Sequence, residues 1–550
     1  MGKNRGRRLI FGLIMVCYSQ MLLAQTETNR YVVYLKDKTN SPYSVDNPSA
    51  YLSQKAIDRR TNQNISITTE DFPVNESYVQ SIRDLGVETY FTSRWMNAIL
   101  VEATPDQIDL IEAEEYILHV DYAAPGQKLN EIPDQENTTR EEHLPSNLDM
   151  LNSDKQVTML FAHTMHEEGI TGNGVWVAVF DDGFLDANLS ATFAHTFEND
   201  KLKDVMDFTT GGKNVFQYDD HGTGSWSCLG AKLEPSFIGT GYNADISLYV
   251  TEDVFTEYRI EEYNWLFAAE RADSAGVDII TSSLGYDDFD DPSMDYSVED
   301  LDGNTSIISQ AANFAIDRGL LVVTSAGNSG NSTDWPYISM PADAENVIAV
   351  GALDHSYNLV GFSSVGPTAD GRIKPEVVAL GSQVTVLSEG HLLALKNGTS
   401  FAAPLIAGFA AGLWEKFPSL TNLELRDLIL SSSNNFASPN NQIGYGLPDY
   451  NVAVGNEPLA VAQVVDDAIK VYPNPITGDH INLLIEKHSI PMPLKMSLYS
   501  QSGKLINEMT IKRAKKGMIA ELGFKENGQG IYFLHIECDN YSKNVKILRY

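Results

Sequence analysis

Four polar side chains, each within two residues of a glycine, could do chemistry together. Ser400 lies in NGTSFAAPLIAGFAAG (Asn397 to Gly412), after a Gly-Thr pair and at the mouth of a small-residue apolar stretch that reads as a buried helix. A serine at a helix start sits beside backbone N–H groups that have no partner within the helix. It is either an N-cap or a nucleophile. Pro404, in the same stretch, removes a helical hydrogen bond and predicts a kink. His221 precedes two glycines in DDHGTGSWSCLG, where the backbone can approach a neighbour closely. Asp181 follows the apolar run VWVAV-Phe180 and precedes Asp182 and Gly183, and Asn328 ends LLVVTSAGN. Singly, these read as a turn, a structural histidine and a second turn. Jointly they supply what peptide hydrolysis by serine needs: a base, an acid that orients it, and a donor for the oxyanion.

The elements that must position them follow from hydrophobic patterning. The runs Val175 to Phe180, Ile246 to Val250, Val277 to Gly285, Leu320 to Asn328 and Val347 to Leu353 are continuous instead of alternating, as expected of strands buried on both faces. Helical patterns at Tyr258 to Ala275 and Thr305 to Arg318 lie between them. Strand and helix in alternation predict an α/β fold, a mainly parallel sheet with helices on both sides. Functional residues in such sheets gather at the carboxyl ends of the strands, so all four side chains are expected on one rim.

The motifs VAVFDDG around Asp181, HGTG from His221, SSLG from Ser282, SAGNSG around Asn328 and NGTSFAAP around Ser400 resemble those of subtilisin-like serine proteases, the subtilase or peptidase S8 family, over Leu151 to about Val454. The order Asp, His, Ser is the order known for subtilisin itself. The resemblance implies the three-layer subtilisin-like fold and a serine endopeptidase working through an acyl-enzyme. Ser400 would be the nucleophile, His221 the base and then acid, and Asp181 its orienter. Asn328 would join the Ser400 N–H at the oxyanion. Ser283, Leu284, Gly285, Ser325, Ala326 and Gly327 would line the substrate strand and pocket. Protein or peptide substrates are the implied partners. Gly224, where many relatives carry a second histidine, and Glu376, where aspartate is common, depart from the pattern without removing a catalytic atom. No cofactor is implied. Calcium often stabilises the family, and the acidic loop with Asp287, Asp288, Asp290, Asp291 and Asp295 offers hard oxygen ligands, although its spacing matches no defined calcium loop. The alternative reading is a non-catalytic surface or binding protein on the same scaffold.

The chain has 550 residues, 43% of them hydrophobic, enough for several cores. Its net charge of −35 argues against nucleic acid as a partner, because phosphate backbones need clustered Lys and Arg. Lys3, Arg5, Arg7 and Arg8 followed by the apolar stretch Leu9 to Ala24 predict a signal peptide over residues 1–25, too short and too interrupted for a membrane span. Of three cysteines only Cys228 and Cys538 lie beyond it, which excludes a disulfide framework.

Residues 26–125 read as a small α+β unit. Strands are expected at 31–35, 87–91, 98–103 and 116–120, with helices at 48–60, 75–85 and 105–115. In size and element order it resembles the family's inhibitory propeptide, with a retained accessory domain as the alternative. A Pro-, Asn-, Gln- and Glu-rich linker over 126–150 follows, then the catalytic domain over 151–455. Residues 466–550 carry a net charge of +3 and short strand patterns separated by turn residues, which predict a β-sandwich. The opening VYPNPITGD, the strand GIYFLHI and the Lys-containing last strand resemble the C-terminal sorting domain of type IX secretion in the Bacteroidetes. That resemblance implies secretion machinery as a partner and a secreted or cell-surface location. A carbohydrate- or partner-binding sandwich is the alternative.

Overall fold

The computed structural model describes residues 28–126, 143–148 and 150–455, together with 469–472, 480–485, 493–500, 504–512, 519–524, 530–538 and 541–549. The expected signal peptide and most of the expected linker lie outside the described residues. The chain divides into two compact units, Met1–Asn456 and Glu457–Tyr550.

The first unit begins with a four-stranded antiparallel sheet, β1 (Asn29–Leu35), β2 (Glu88–Ser93), β3 (Ala98–Ala103) and β4 (Ile117–Pro125), in the order β2-β3-β1-β4. Helices α1 (Gln54–Asn62), α2 (Glu76–Asp84) and α3 (Pro105–Glu112) accompany it. The helix expected over 48–60 is a 3-10 turn at Pro48–Ala50 and then α1, because the Ser53 hydroxyl accepts the Ala56 N–H and starts a new helix. Successive strand residues face opposite sides, and here both sides are buried. Val33 and Leu35 join Val79, Ile82, Ile99 and Ile111 in the domain's own core. Val32 and Tyr34 instead join a cluster with Tyr263, Phe267 and Ala268 of the following domain.

That domain is built on seven parallel strands: β5 (Trp176–Asp181), β6 (Leu202–Asp207), β7 (Asp245–Val250), β8 (Ile279–Ser282), β9 (Leu321–Ser325), β10 (Ile348–Leu353) and β11 (Val377–Leu380). Their order is β11-β10-β9-β8-β5-β7-β6. The order switches direction beside β5, the place where open α/β sheets form a crevice. Helices α4 (His221–Gly230) and α7 (Thr399–Lys416) pack on one face, sharing a core with the sheet, and α5 (Ile260–Ala275) and α6 (Ile307–Asp317) on the other. Almost all of α5 is buried, including Glu261, Glu262, Glu270 and Asp273, because the N-terminal domain covers its outward face.

The second unit has a three-stranded sheet (Ile469–Tyr472, His480–Ile485, Ile519–Gly523) and a four-stranded one (Leu494–Ser500, Leu505–Ile511, Gly530–Cys538, Tyr541–Arg549), both antiparallel. Ile481, Leu483 and Leu522 of the first share one apolar cluster with Met496, Leu498, Leu534 and Ile536 of the second. This is the layered arrangement expected of 466–550.

Candidate active site

Asp181 is the last residue of β5 and fully buried. The His221 ring donates from Nδ1 to Asp181 Oδ1 over 2.6 Å, and the Asp182 N–H donates to the same oxygen at 3.0 Å. The approach depends on glycine: a Cβ on Gly222 would lie 2.2 Å from the Gly183 carbonyl oxygen and 2.8 Å from Asp181 Cβ. No other residue lets α4 begin this close to β5. Burial works against the imidazolium, but the Asp181 charge and hydrogen bond, with Asp182 nearby, push His221 up to about 9. Burial and the Asp181 charge push Asp182 up to about 8.

Ser400 is the second residue of α7 and 6% exposed. The helix continues through Pro404, where a local exchange of partners supplies the hydrogen bond that proline cannot make. Pro404 has no N–H for the carbonyl four residues back, which is that of Ser400. Ser283 supplies the missing donor, its hydroxyl lying 2.7 Å from the Ser400 carbonyl oxygen, with the Ser225 hydroxyl at 3.4 Å. In return the Ser400 hydroxyl donates to the Ser283 carbonyl at 3.2 Å. The Asp181–His221 bond is therefore formed, while the Ser400 hydroxyl is turned to Ser283 instead of His221. Catalytic hydrogen bonds are often loose until substrate is bound.

Asn328 follows β9 on the exposed rim. Its Oδ1 accepts the Thr399 N–H at 2.9 Å and the Thr399 hydroxyl at 3.1 Å. The acceptor end of the amide is thus fixed against the nucleophile's helix, which turns the donor end outward. Thr399 also bonds both the carbonyl and the N–H of Gly327 through its hydroxyl, at 3.1 and 3.2 Å.

The expected substrate-lining segments lie side by side. Ser325 donates to the Leu284 carbonyl at 3.3 Å, and the Ala326 carbonyl accepts the Ser339 N–H at 3.2 Å. Ser283 and Ala326 are buried, Leu284 is half-buried and Gly285 is exposed. Sequence reasoning missed Thr399, Ser225 and Asp182 as parts of the site, although Thr399 and Asp182 adjoin residues it selected. Gly224 has a local reason: an added Cβ would come within 3.2 Å of the Phe401 ring, which packs 5.4 Å from the His221 ring. Glu376 is structural, accepting the Ala349 N–H at 2.9 Å and pairing with Lys374 at 2.8 Å.

Ligand atoms of Asp181, Asp182 and His221 lie within 4.8 Å of one another and could hold a cation. The acidic loop fits calcium poorly, since Asp290, Asp291 and Asp295 each accept a backbone N–H, from Glu257, Ser293 and Phe289. Among the described residues its carboxylates form no such converging group.

The subtilase family model matches residues 172–446, half of the chain. Subtilisin BL of Lederbergia lenta is 30% identical over 284 residues, covering 52% of this chain and 92% of that relative. The alkaline protease of Alkalihalobacillus alcalophilus is 28% identical over 340 residues, 62% of this chain and 75% of the relative. A solved structure of MycP1 without its N-terminal propeptide aligns at 21% identity with a TM-score of 0.42, over 53% of this chain and 94% of that one. The fold and site define a subtilisin-like α/β domain, and the chain belongs to the subtilase family. Residues 30–142 match the peptidase S8 propeptide domain of Bacteroidota, and 470–549 match a secretion system C-terminal sorting domain.

Proposed function

We propose that this protein is a secreted serine endopeptidase that cleaves peptide bonds through Ser400, His221 and Asp181. The observation that carries the reading is the 2.6 Å bond between His221 and buried Asp181, with Phe401, the residue after Ser400 in the first turn of α7, packed 5.4 Å from the His221 ring. Ser400 Oγ attacks the substrate carbonyl as His221 Nε2 takes its proton, and Asp181 stabilises the resulting imidazolium. The Ser400 N–H and Asn328 Nδ2 hold the oxyanion. His221 then protonates the leaving amine, and water repeats the sequence on the acyl-enzyme. Every step uses the chain's own groups. The substrate strand lies along Ser283 to Gly285, with Ser325 to Gly327 beside it.

Residues 1–25 act as the signal peptide, 26–125 as the intramolecular inhibitor, 151–455 as the catalytic domain and 466–550 as the sorting domain. The last takes the chain across the outer membrane, for release or attachment at the surface. His143 already belongs to the catalytic body, its N–H donating to the Leu189 carbonyl and its carbonyl accepting the Ala191 N–H. Asn147 bonds the Leu393 carbonyl at 2.7 Å and the Leu393 N–H at 2.9 Å. Processing cuts are therefore expected between 126 and 143, inside the linker.

A fluorophosphonate should label Ser400 in the processed chain. No labelling after confirmed processing would favour the alternative, a non-catalytic binding protein, to which the Ser400–Ser283 bond is the one favourable observation. Added in trans, the 31–121 fragment should inhibit the mature enzyme.

A further inference from the structure

Beside His221 and Leu284 the catalytic domain opens a cleft of about 500 Å³. Its walls carry Asp182, Asp219, Glu252, Asp253, Glu257, Glu261 and Asp290, and neither lysine nor arginine. Among the described residues none of these seven forms a salt bridge with a lysine or arginine, although Asp253 and Glu261 attract the buried Arg30 of the N-terminal domain. Their polar contacts fix the loop. Glu252 Oε1 accepts the Tyr286 hydroxyl and, at 3.1 Å, the Thr251 hydroxyl. Glu261 Oε1 accepts the Asp253 N–H at 2.9 Å, and Asp219 Oδ1 accepts the His221 N–H at 3.0 Å. With the N-terminal domain docked Glu261 is only 2% exposed and meets a single donor, and the exposed Glu257 carboxylate meets none among the described residues. Asp182 Oδ1 is buried and unpartnered.

Unpaired carboxylates in such a place are costly unless an opposite charge arrives. Burial, with Asp288, Asp287 and Asp290 nearby, pushes Glu257 up to about 7, and burial with repulsion from neighbouring carboxylates pushes Glu252 to about 8 and Glu261 to about 11, so an incoming cation would restore their ionised forms. The cleft's apolar rim narrows the choice of cation. Phe255 is 85% exposed and Val254 41% exposed, and both line the cleft together with Leu284. A long basic side chain lays its methylenes on apolar surface and keeps its charged head in a polar one. A bare metal ion would need converging oxygens, and among the described residues the cleft offers these only where Asp182 meets Asp181 and His221, not among the glutamates.

We propose that this cleft selects substrates carrying lysine or arginine upstream of the scissile bond, the stem of that side chain resting on Val254 and Phe255 and its head among Glu257, Glu261 and Asp182. The proposal rests on the peptidase reading above and names the substrate class of that site.

The test uses the full chain after processing and quenched peptides that differ only in Lys, Arg, Gln or Glu at the second, third or fourth position before the cut. At one of these positions Lys and Arg should raise kcat/KM over Gln by about 10- to 100-fold, as charge-assisted hydrogen bonds to buried carboxylates do. Glu should be the poorest. The preference, read as the ratio of Lys to Gln rates within each variant, should shrink in Glu257→Gln, whose side chain is exposed, and further in Glu261→Gln. High salt should weaken it. Equal rates for Lys and Gln at all three positions, or a preference untouched by Glu257→Gln, would overturn the assignment and leave the peptidase reading standing. A preference abolished by millimolar calcium would give the cleft to a metal and also overturn it. No hydrolysis of any peptide, with no fluorophosphonate labelling of Ser400, would remove both readings.

Discussion

Two charge clusters in the first unit are built in opposite ways. Where the N-terminal domain meets α5, Arg59, Arg60, Arg94 and Arg318 surround Asp71, Glu270 and Asp273, all buried. Asp273 accepts from Arg59, Arg60 and Arg94, and Arg60 also reaches Asp71 at 2.9 Å. Glu270 Oε1 accepts the Ser93 hydroxyl at 2.5 Å and the Trp95 N–H at 3.1 Å, while Oε2 accepts the Arg94 N–H at 2.8 Å. Burial works to raise Asp273, but Arg94, Arg60 and Arg59 hold it below the usual carboxylate value. The cleft beside His221 is lined by carboxylates with no lysine or arginine among them, and Asp253 and Glu261 draw only on Arg30 of the N-terminal domain among the described residues. A cluster completed within the chain fixes a docking geometry, and one left incomplete waits for something from outside. The contrast separates structure from recognition more clearly than charge density does.

The largest break should come at the rim. Ser400→Ala should lower kcat by about 10⁶-fold, as loss of a triad nucleophile does, and should leave the chain unprocessed on a gel. At the interface, Asp273→Ala strands three guanidiniums without a counter-charge, at a cost of about 3–5 kcal/mol. After processing, the cut N-terminal piece should then no longer co-elute with the catalytic domain. Co-elution as in the unmodified protein would mean that the cluster is ornamental. Asn328→Ala removes one oxyanion donor and should cost about 10²–10³ in kcat with little change in KM. The smallest effect concerns pH. Acidic neighbours raise His221 toward about 9 by favouring the imidazolium, and catalysis needs the neutral ring. The acid limb of kcat/KM should therefore lie above the ordinary imidazole value, with activity climbing as pH rises, and Asp182→Asn should move that limb down. A limb unmoved by Asp182→Asn would show that the cleft's charge does not reach the base.

The parallel sheet was legible because its strands are buried on both faces and read as continuous apolar runs. Asp181, His221, Asn328 and Ser400 were legible because glycines and strand ends mark them. What the sequence hid was reciprocal contact between distant segments. The effect of Pro404 on the Ser400 carbonyl is visible only once Ser283 and Ser225 stand beside it. The cleft was hidden for a similar reason: Glu252, Asp253, Glu257 and Glu261 look like a solvated acidic run until folding turns them toward Asp182. For α5 the pattern even misleads, since its charged residues suggest an exposed face that the N-terminal domain in fact covers.

The strands β1 and β3 have a consequence in time. Val32, Tyr34, Ala98 and Leu100 share an apolar cluster with Tyr263 and Phe267, so one apolar face of the N-terminal sheet is buried only while docked. Severed from the chain, that domain keeps a single core and gains a bare greasy side, and a domain of its size has little stability to spare. Each excursion off α5 would expose it to unfolding and to any protease nearby, and its chance of returning would fall. The same alternation of side chains that guides the domain into place would then act as a fuse, whose length is set by how tightly one sheet face is held.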